Sequence, residues 1–188
     1  MCGLLRPNGG TIEVQGTIGL SPQTIMIWES LTPPEQLAFI GRMHGLDRRR
    51  ADRRANELLD AFGLGEKRKK LARTLSGGMQ RRLNIALALV HEPEILFLDE
   101  PQAGLDPQSR VLVREYIRSL ASSTTIVLTT HDMEEAEKLS DRVCIIDRGK
   151  VLVQDTVASI KAVAGSGGVV EIEAAGGGPE TVRSVLQE

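Results

Sequence analysis

LSGGMQRRLNIALALVHEPEILFLDEPQAGLD, which runs from Leu75 to Asp106, is the most informative part of this chain. It begins with a Ser-Gly-Gly turn in which Ser76 is a good N-cap for a helix. Because Gly77 and Gly78 carry no side chains, the backbone N–H groups at this helix start remain accessible, and the helix dipole favours an anion there. The turn therefore predicts a phosphate-binding helix N-terminus.

After this turn the sequence predicts a buried helix and then a buried strand. The segment from Leu83 to Val90 is apolar on nearly every face, which is typical of a helix packed under a sheet, and Pro93 ends it. The run from Ile95 to Leu98 is short, continuous and apolar, which predicts a strand buried on both faces of a parallel sheet. Asp99 and Glu100 follow at the strand end, which is the edge where α/β proteins bind their ligands.

The two acids can have different tasks because consecutive side chains along a strand point in different directions. Asp99 can bind Mg2+ directly or through water, whereas Glu100 can accept a proton from water that attacks a phosphoryl group. A lone Asp-Glu pair is more often a polar strand end that leads into a proline turn, and Pro101 follows here. The functional interpretation therefore depends on the other motifs.

LSGGMQRR, ILFLDEP and AGLD, in this order and spacing, resemble the signature motif, the Walker B strand and the D-loop of the ATP-binding cassette (ABC) ATPases. Gln23 in GLSPQT resembles the Q-loop glutamine, and His131 in TTHD resembles the switch histidine. A single LSGG would be weak evidence, whereas the ordered set of motifs is specific.

The resemblance implies a site shared by two cassettes, with ATP and Mg2+ between the P-loop of one and the signature motif of the other. The signature residues that would contact the nucleotide are Leu75, Ser76, Gly77, Gly78, Met79 and Gln80. Gln23 and Asp99 would bind Mg2+, and Gln23 would also sense the partner. Glu100 would polarise the attacking water, His131 would hold the γ-phosphate, and Asp106 would link the two halves.

The alternation of predicted strands and helices indicates an α/β fold with a mostly parallel sheet. The resemblance implies a three-layer cassette of the P-loop NTPase type. We expect residues 1–160 to form a partial ABC ATPase domain that contains a helical subdomain at about residues 30–92. We expect residues 161–188 to begin a C-terminal appendage, because glycine-rich segments there bracket one predicted strand and a closing helix. Upstream, the alternation from Thr11 to Leu20 predicts two short strands around Gly16.

The P-loop sequence G-x-x-x-x-G-K-[ST] does not occur in the 188 residues. The resemblance aligns Met1 to Leu5 with the end of the helix that follows a P-loop, so we expect an N-terminal truncation that removes the P-loop and the strand before it. The amides and the lysine of that loop hold the phosphates of ATP. We therefore expect weak or absent ATP binding by these 188 residues alone.

Two helices are predicted between Gln23 and the signature motif. Thr32 is a suitable N-cap with Pro33-Pro34 in the first turn, and a second helix is predicted from about Asp47 to Phe62. The segment LTPPEQLAFIGRMHGL is similar to the ATPases of drug and antibiotic exporters. The resemblance implies that this subdomain receives a transmembrane permease subunit, that a second ABC ATPase domain completes a dimer, and that the chain acts at the cytoplasmic face of the cell membrane.

Composition bounds the function further. The 23 basic and 25 acidic residues give a net charge of -2, so no nucleic-acid partner is expected. Cys2 and Cys144 are far apart and show no metal-binding spacing, which favours a reduced setting. No apolar run approaches the roughly 20 residues that cross a bilayer, so a transmembrane part would belong to another chain.

Two other functions remain open from the sequence. A soluble ABC-type ATPase that acts on nucleic acid or the ribosome shares the signature motif, but we would expect a long coiled insertion or a second cassette, and these 188 residues contain neither. A non-catalytic fragment that only binds a partner is the second alternative, and the intact Glu100 and His131 argue against long decay. The transported substrate is not readable from this chain, because the substrate pathway would lie in the partner.

Overall fold

The structure is a computed structural model that describes residues 7–163. The chain divides into two compact units, the first ending at Leu139 and the second beginning at Ser140. The predicted boundary at residue 160 stays a prediction. The strand and closing helix predicted for the C-terminal appendage lie outside the described residues.

Three parallel strands form the sheet of the first unit. Strands β1 (Ile18–Ser21), β2 (Ile95–Asp99) and β3 (Thr125–Thr129) lie in this order, with β2 in the centre. Asp99 at the end of β2 lies opposite Thr129 at the end of β3. Helical segments connect each parallel pair of strands, as parallel pairing requires. The prediction of an α/β fold with a parallel sheet is confirmed for this unit.

The helices of the first unit begin where the capping rules place them. Within the described residues they are α1 (Pro33–Met43), α2 (Arg48–Ala61), α3 (Gly77–Leu89), α4 (Pro107–Leu120) and α5 (Met133–Leu139). Asp47 caps α2 by accepting a hydrogen bond from the Arg50 amide at 2.9 Å. Glu35 in the first turn of α1 accepts one from the Thr32 amide at 2.7 Å. These local contacts explain why both helix starts could be predicted from sequence.

One continuous hydrophobic core joins α2, α3 and α4 to the sheet. Its fully buried members include Leu58, Leu59, Phe62, Leu83, Ile85, Leu89, Leu96, Leu98 and Ile117. Each such side chain contributes roughly 1.5–3 kcal/mol of hydrophobic stabilisation. In β2, Leu96 and Leu98 are buried, whereas Ile95 and Phe97 on the opposite face are only half-buried. The prediction that β2 is buried on both faces is therefore wrong for the face of Ile95 and Phe97, and it is confirmed for the face of Leu96 and Leu98.

Gly19 allows β1 to lie directly against α3. A Cβ atom at Gly19 would lie 2.2 Å from the carbonyl oxygen of Ala88, which is far inside van der Waals contact with a backbone atom. Only glycine fits this distance, because the helix backbone cannot move aside cheaply. This close approach fixes the end of β1 and, with it, the loop that carries Gln23.

The strand predicted before Gly16 is wrong. Residues 11–17 form no strand among the described residues, and Ile12 and Val14 are exposed. Apolar alternation stabilises a strand only when a neighbouring strand supplies hydrogen bonds and a core covers the apolar face. Neither is present at this segment within the described range.

The second unit contains a β-hairpin followed by a short helix. Strands β4 (Arg142–Asp147) and β5 (Lys150–Thr156) pair antiparallel, and helix α6 (Val157–Val163) follows. The turn residues Arg148 and Gly149 both have positive φ angles, 46° and 75°, as a tight two-residue hairpin turn requires. Across residues 7–163, no helix has the length and apolar character needed to cross a membrane.

Candidate functional site

Three strand ends bring three of the predicted site residues to one edge of the sheet. Gln23 follows β1, Glu100 follows β2 and His131 follows β3. Gln23 Nε2 donates a hydrogen bond to Glu100 Oε2 at 3.3 Å. His131 Nδ1 lies 3.0 Å from the other carboxylate oxygen, Glu100 Oε1. The structure therefore joins three motifs, which span 108 positions from Gln23 to His131, at a single carboxylate.

Glu100 has an unusual backbone conformation that directs its side chain. Its φ angle is +47°, in the left-handed region that non-glycine residues rarely occupy. The Glu100 amide donates to the carbonyl oxygen of Thr129 at 3.1 Å, which ties this residue to the end of β3. Such a conformation costs on the order of 1 kcal/mol and persists only where the surrounding structure enforces it. Strain of this kind is typical of functional sites.

Oxygen ligands suitable for Mg2+ lie at the same edge. Asp99 Oδ1 accepts a hydrogen bond from Thr129 Oγ1, and the side chain of Asp99 is half-buried. Within residues 7–163 no group of three or more His, Cys, Asp or Glu side chains could hold a metal ion without other ligands. Mg2+ is usually bound by one or two carboxylates, several waters and substrate phosphates. The Asp99 carboxylate and the Gln23 amide oxygen fit this pattern.

A buried cation faces the two acids. Arg81 on α3 is only 4% exposed, and its Nη1 donates to the carbonyl oxygen of Pro22 at 2.9 Å. Burial lowers the pKa of Arg81, whereas the charges of Asp99 and Glu100 oppose this by raising it. Arg81 was not predicted from the sequence. The available signal was a charged residue next to the otherwise apolar face of the signature helix.

The signature residues divide into buried and exposed members. Leu75 is buried, and Gln80 Nε2 donates to the carbonyl oxygens of Ala72 and Leu75, each at 3.3 Å. Met79 packs against the core. Leu75, Met79 and Gln80 thus contact other residues of this chain and shape the turn. The predicted contact of the six signature residues with nucleotide stays a prediction. Ser76 accepts a hydrogen bond from the Met79 amide at 3.3 Å and caps α3, as predicted.

The exposed glycine of the signature motif has open space around it. A Cβ atom at Gly77 would meet no heavy atom within 4 Å, and a Cβ at Gly78 would make only an ordinary contact with Leu105 at 3.5 Å. Neither glycine has a positive φ angle. The packing of this chain therefore does not require glycine at these positions. Within the described residues, no hydrogen bond joins the signature residues to Gln23, Glu100 or His131.

Asp106 serves as the N-cap of α4. Its Oδ2 accepts a hydrogen bond from the Ser109 amide at 3.0 Å. Hydrogen bonds from the Ser109 side chain and backbone lower the pKa of the Asp106 carboxyl, and the charge of Arg82 adds to this. Asp106 therefore stays ionised and fixes the start of the helix, while its side chain remains at the surface.

The loop that carries His131 is held by polar residues that the sequence analysis did not identify. Asp132 Oδ1 accepts a hydrogen bond from the Glu134 amide at 2.9 Å at the start of α5. Thr130 Oγ1 donates to the carboxylate of Glu135, which is buried. Burial raises the pKa of Glu135, and the hydrogen bond from Thr130 opposes this shift. The side chain of His131 itself remains largely exposed.

Comparison with known proteins decides the family. Residues 1–103 match the ABC transporter family. The chain belongs to this family. The predicted family is thereby confirmed, whereas the roles assigned to Gln23, Glu100 and His131 stay predictions.

Relatives of this chain are named as ATP-binding proteins of drug resistance or of export. The chain is 44% identical over 176 residues to the daunorubicin/doxorubicin resistance ATP-binding protein DrrA of Streptomyces peucetius, covering 87% of this chain and 53% of that protein. It is 40% identical over 167 residues to the linearmycin resistance ATP-binding protein LnrL of Bacillus subtilis, covering 88% and 54%. It is 40% identical over 197 residues to the Nod factor export ATP-binding protein I of Sinorhizobium fredii, covering 98% and 57%. The chain thus spans about half the length of these relatives.

Solved ABC structures share the fold. One is the ATP-binding subunit of an ABC transporter, with 26% identity and a TM-score of 0.72 over 92% of this chain and 69% of that chain. Another, an inward-facing metal-chelate type ABC transporter, has 24% identity and a TM-score of 0.74 over 85% and 66%. The second similarity concerns the fold alone.

Proposed function

We propose that this chain belongs to the ATP-binding and ATP-hydrolysing subunit of an ABC exporter, and that the subunit energises a separate transmembrane permease. The observation that carries this proposal is the contact of both Gln23 and His131 with the carboxylate of Glu100. Because phosphoryl transfer depends mainly on positioning and charge stabilisation, a carboxylate fixed by two polar neighbours at a strand end fits the task of orienting water. The export-type names of the relatives support the direction of transport.

In the proposed reaction Glu100 accepts a proton from the water whose oxygen bonds to the γ-phosphorus of ATP, while the bond from this phosphorus to the β–γ bridging oxygen breaks and ADP leaves with phosphate as the other product. His131, next to the carboxylate of Glu100, would hold the γ-phosphate, and Gln23 orients Glu100 through its amide nitrogen. Asp99 and the amide oxygen of Gln23 would hold Mg2+, which supplies charge neutralisation on the phosphates. The buried guanidinium of Arg81 places a positive charge near the carboxylates of Asp99 and Glu100.

We infer that the signature motif serves a nucleotide held by a second ABC ATPase domain. Gly77 is exposed and surrounded by open space, and its backbone amide lies at the N-terminus of α3. Since no described residue of this chain fills the space beside Gly77, a group from outside the chain has room to approach its backbone amide. A phosphate is the group that a glycine-opened helix start favours.

An apolar surface beside the Q-loop fits the permease. Exposed Met26, Trp28, Phe39 and Met43 form what we call the α1 patch; Met43 is 69% exposed, and the rings of Trp28 and Phe39 meet edge to face at 5.5 Å. Phe39 and Met43 are four residues apart on α1, so they share one face of the helix. Beside Met26 and Trp28 lies a cavity of about 500 Å3 lined mainly by apolar side chains. A permease segment with an apolar face fits this surface and would hold the subunit at the cytoplasmic face of the membrane.

Met43→Asp is expected to reduce co-purification of the subunit with the permease about tenfold or more, because a charge would be buried without a partner at the interface. The measurement is the fraction of subunit retained on the tagged permease in detergent. Met133→Asp is the matched control, since Met133 is equally exposed but lies on α5. Equal loss or equal retention of both variants would contradict docking at the α1 patch.

The 188 residues alone are expected to bind ATP weakly, with a Kd on the order of millimolar or above, because they contain no G-x-x-x-x-G-K-[ST] loop. Calorimetric titration with MgATP measures this directly. A micromolar affinity would show that the described strand-end residues hold nucleotide without such a loop. Turnover is therefore measured on an assembled transporter whose ATPase subunit has a P-loop in addition to these residues and is bound to its permease.

A further inference from the structure

The segment that carries Gln23 owes its position to buried polar side chains of a distant helix. Residues 22–31, here called the Q-loop segment, form no helix or strand. Fixing each residue of such a segment costs roughly 1–2 kcal/mol in conformational entropy. Its backbone N–H and C=O groups must also find hydrogen-bond partners, because no helix or sheet supplies them. The segment therefore needs anchors.

Asn84 supplies an anchor on each side of Gln23. The side chain of Asn84 is 3% exposed, and its Nδ2 donates to Ser21 Oγ at 3.0 Å. Its Oδ1 accepts a hydrogen bond from the Met26 amide at 3.0 Å. Both ends of one buried amide are thus used to hold the chain before and after Gln23.

Arg81 lies three residues earlier on the same helix and holds the same loop. Its Nη1 donates to the carbonyl oxygen of Pro22, immediately before Gln23, at 2.9 Å. Residues three apart share one face of a helix, so Arg81 and Asn84 present a joint polar surface on α3. An apolar pair would fill the same volume without the desolvation of a charge. The hydrogen bonds of Arg81 and Asn84 therefore indicate that these side chains hold the Q-loop segment and do not merely fill space in the core.

We propose that Arg81 and Asn84 are positioning residues that keep Gln23 in contact with Glu100. Through these two residues, a movement of the signature helix α3 would also move Gln23 relative to Glu100. The helix that begins at Ser76 also carries Arg81 and Asn84. A shift of this helix on nucleotide contact would therefore be passed to the Q-loop segment. This inference rests on the proposed function for its catalytic meaning, but the anchoring itself does not depend on ATP hydrolysis.

Amide hydrogen exchange of the full 188-residue chain tests the anchoring without nucleotide. Asn84→Leu removes the acceptor for the Met26 amide at nearly constant volume, so exchange at Met26 is expected to accelerate about tenfold or more. Asn84→Asp keeps an acceptor oxygen and is expected to restore the protection. Asn56→Leu is the matched control, because Asn56 also uses both amide ends but bonds Asp52 and Arg68.

The pattern of exchange separates positioning from a general structural role. Acceleration confined to residues 22–31, with rescue by Asn84→Asp, supports the proposal. Unchanged exchange at Met26, absence of rescue, or equal acceleration throughout α3 and β2 would overturn it. If Asn84→Leu does not fold, Asn84→Asp and Asn84→Ser give the same comparison with smaller disturbance.

A second measurement concerns turnover by the assembled transporter. Arg81→Met is expected to lower kcat for ATP about tenfold with less than about a twofold change in KM, and Arg81→Lys is expected to recover part of the loss by keeping the charge. Equal activity of Arg81→Met and wild type would contradict a role for Arg81 in positioning. Absence of turnover in the wild type would instead contradict the proposed function, while the exchange experiment would still decide the anchoring.

Discussion

Glu100→Gln is expected to lower ATP turnover by the assembled transporter about a hundredfold or more, because the carboxylate that accepts a proton from the attacking water is lost. The amide is nearly the same size as the carboxylate, and its single oxygen can still accept a hydrogen bond from Gln23. The free energy of unfolding is therefore expected to change by no more than about 0.5 kcal/mol. Steady-state phosphate release and urea unfolding measure the two quantities.

Glu66→Gln serves as the control for Glu100→Gln. Glu66 is an exposed carboxylate in a short helical turn before the signature motif, away from the strand ends. The Glu66→Gln variant is expected to have the same turnover as the wild type within about twofold. Should Glu100→Gln retain more than about a third of wild-type turnover, Glu100 would not be the group that activates water.

Gly77→Ala is expected to reduce turnover on the order of a hundredfold while leaving the chain as stable as before or slightly more stable. Alanine stabilises a helix relative to glycine by up to about 1 kcal/mol, and the new methyl group meets nothing within this chain. The same methyl group would stand between the helix N-terminus and a phosphate, and a displacement of about 1 Å is enough for a loss of this size. An intact fold combined with lost activity is therefore the expected result.

Gly9→Ala is the matched control, since Gly9 is also exposed and has no heavy atom within 4 Å of a built Cβ. It is expected to change neither stability nor turnover beyond about 0.5 kcal/mol and twofold, respectively. Normal turnover of Gly77→Ala would show that no ligand approaches the signature glycine. A loss of stability in Gly77→Ala would show that the fold of this chain itself needs glycine at position 77.

Local sequence chemistry accounts for the parts of the fold that could be predicted. Helix α1 begins as predicted, directly after Thr32, because a capping threonine and prolines in the first turn act within a few residues of each other. Asp99 and Glu100 could be assigned to the ligand-binding edge because they follow a predicted buried strand, and parallel strands place their carboxyl ends together. Gln23 and His131 were expected in the same site from the resemblance to the ABC motifs.

Contacts between distant residues account for what was missed. Asn84 bonds the Met26 amide 58 residues away, and no local pattern encodes such a pairing. The strand predicted around Ile12 is wrong for the same reason, because alternation does not reveal whether a neighbouring strand is available. The left-handed backbone of Glu100 likewise depends on the bond to Thr129, which only the assembled sheet supplies.

The most direct test of a site shared between two copies is turnover by transporters that contain one Glu100→Gln subunit and one Gly77→Ala subunit. If the acid of one copy acts with the signature helix of the other, one of the two sites in this mixed assembly keeps both intact groups. Turnover is then expected to rise at least about tenfold above that of either variant alone. Turnover no higher than that of the separate variants would show that Glu100 and Gly77 act within the same chain, and would contradict the proposed arrangement.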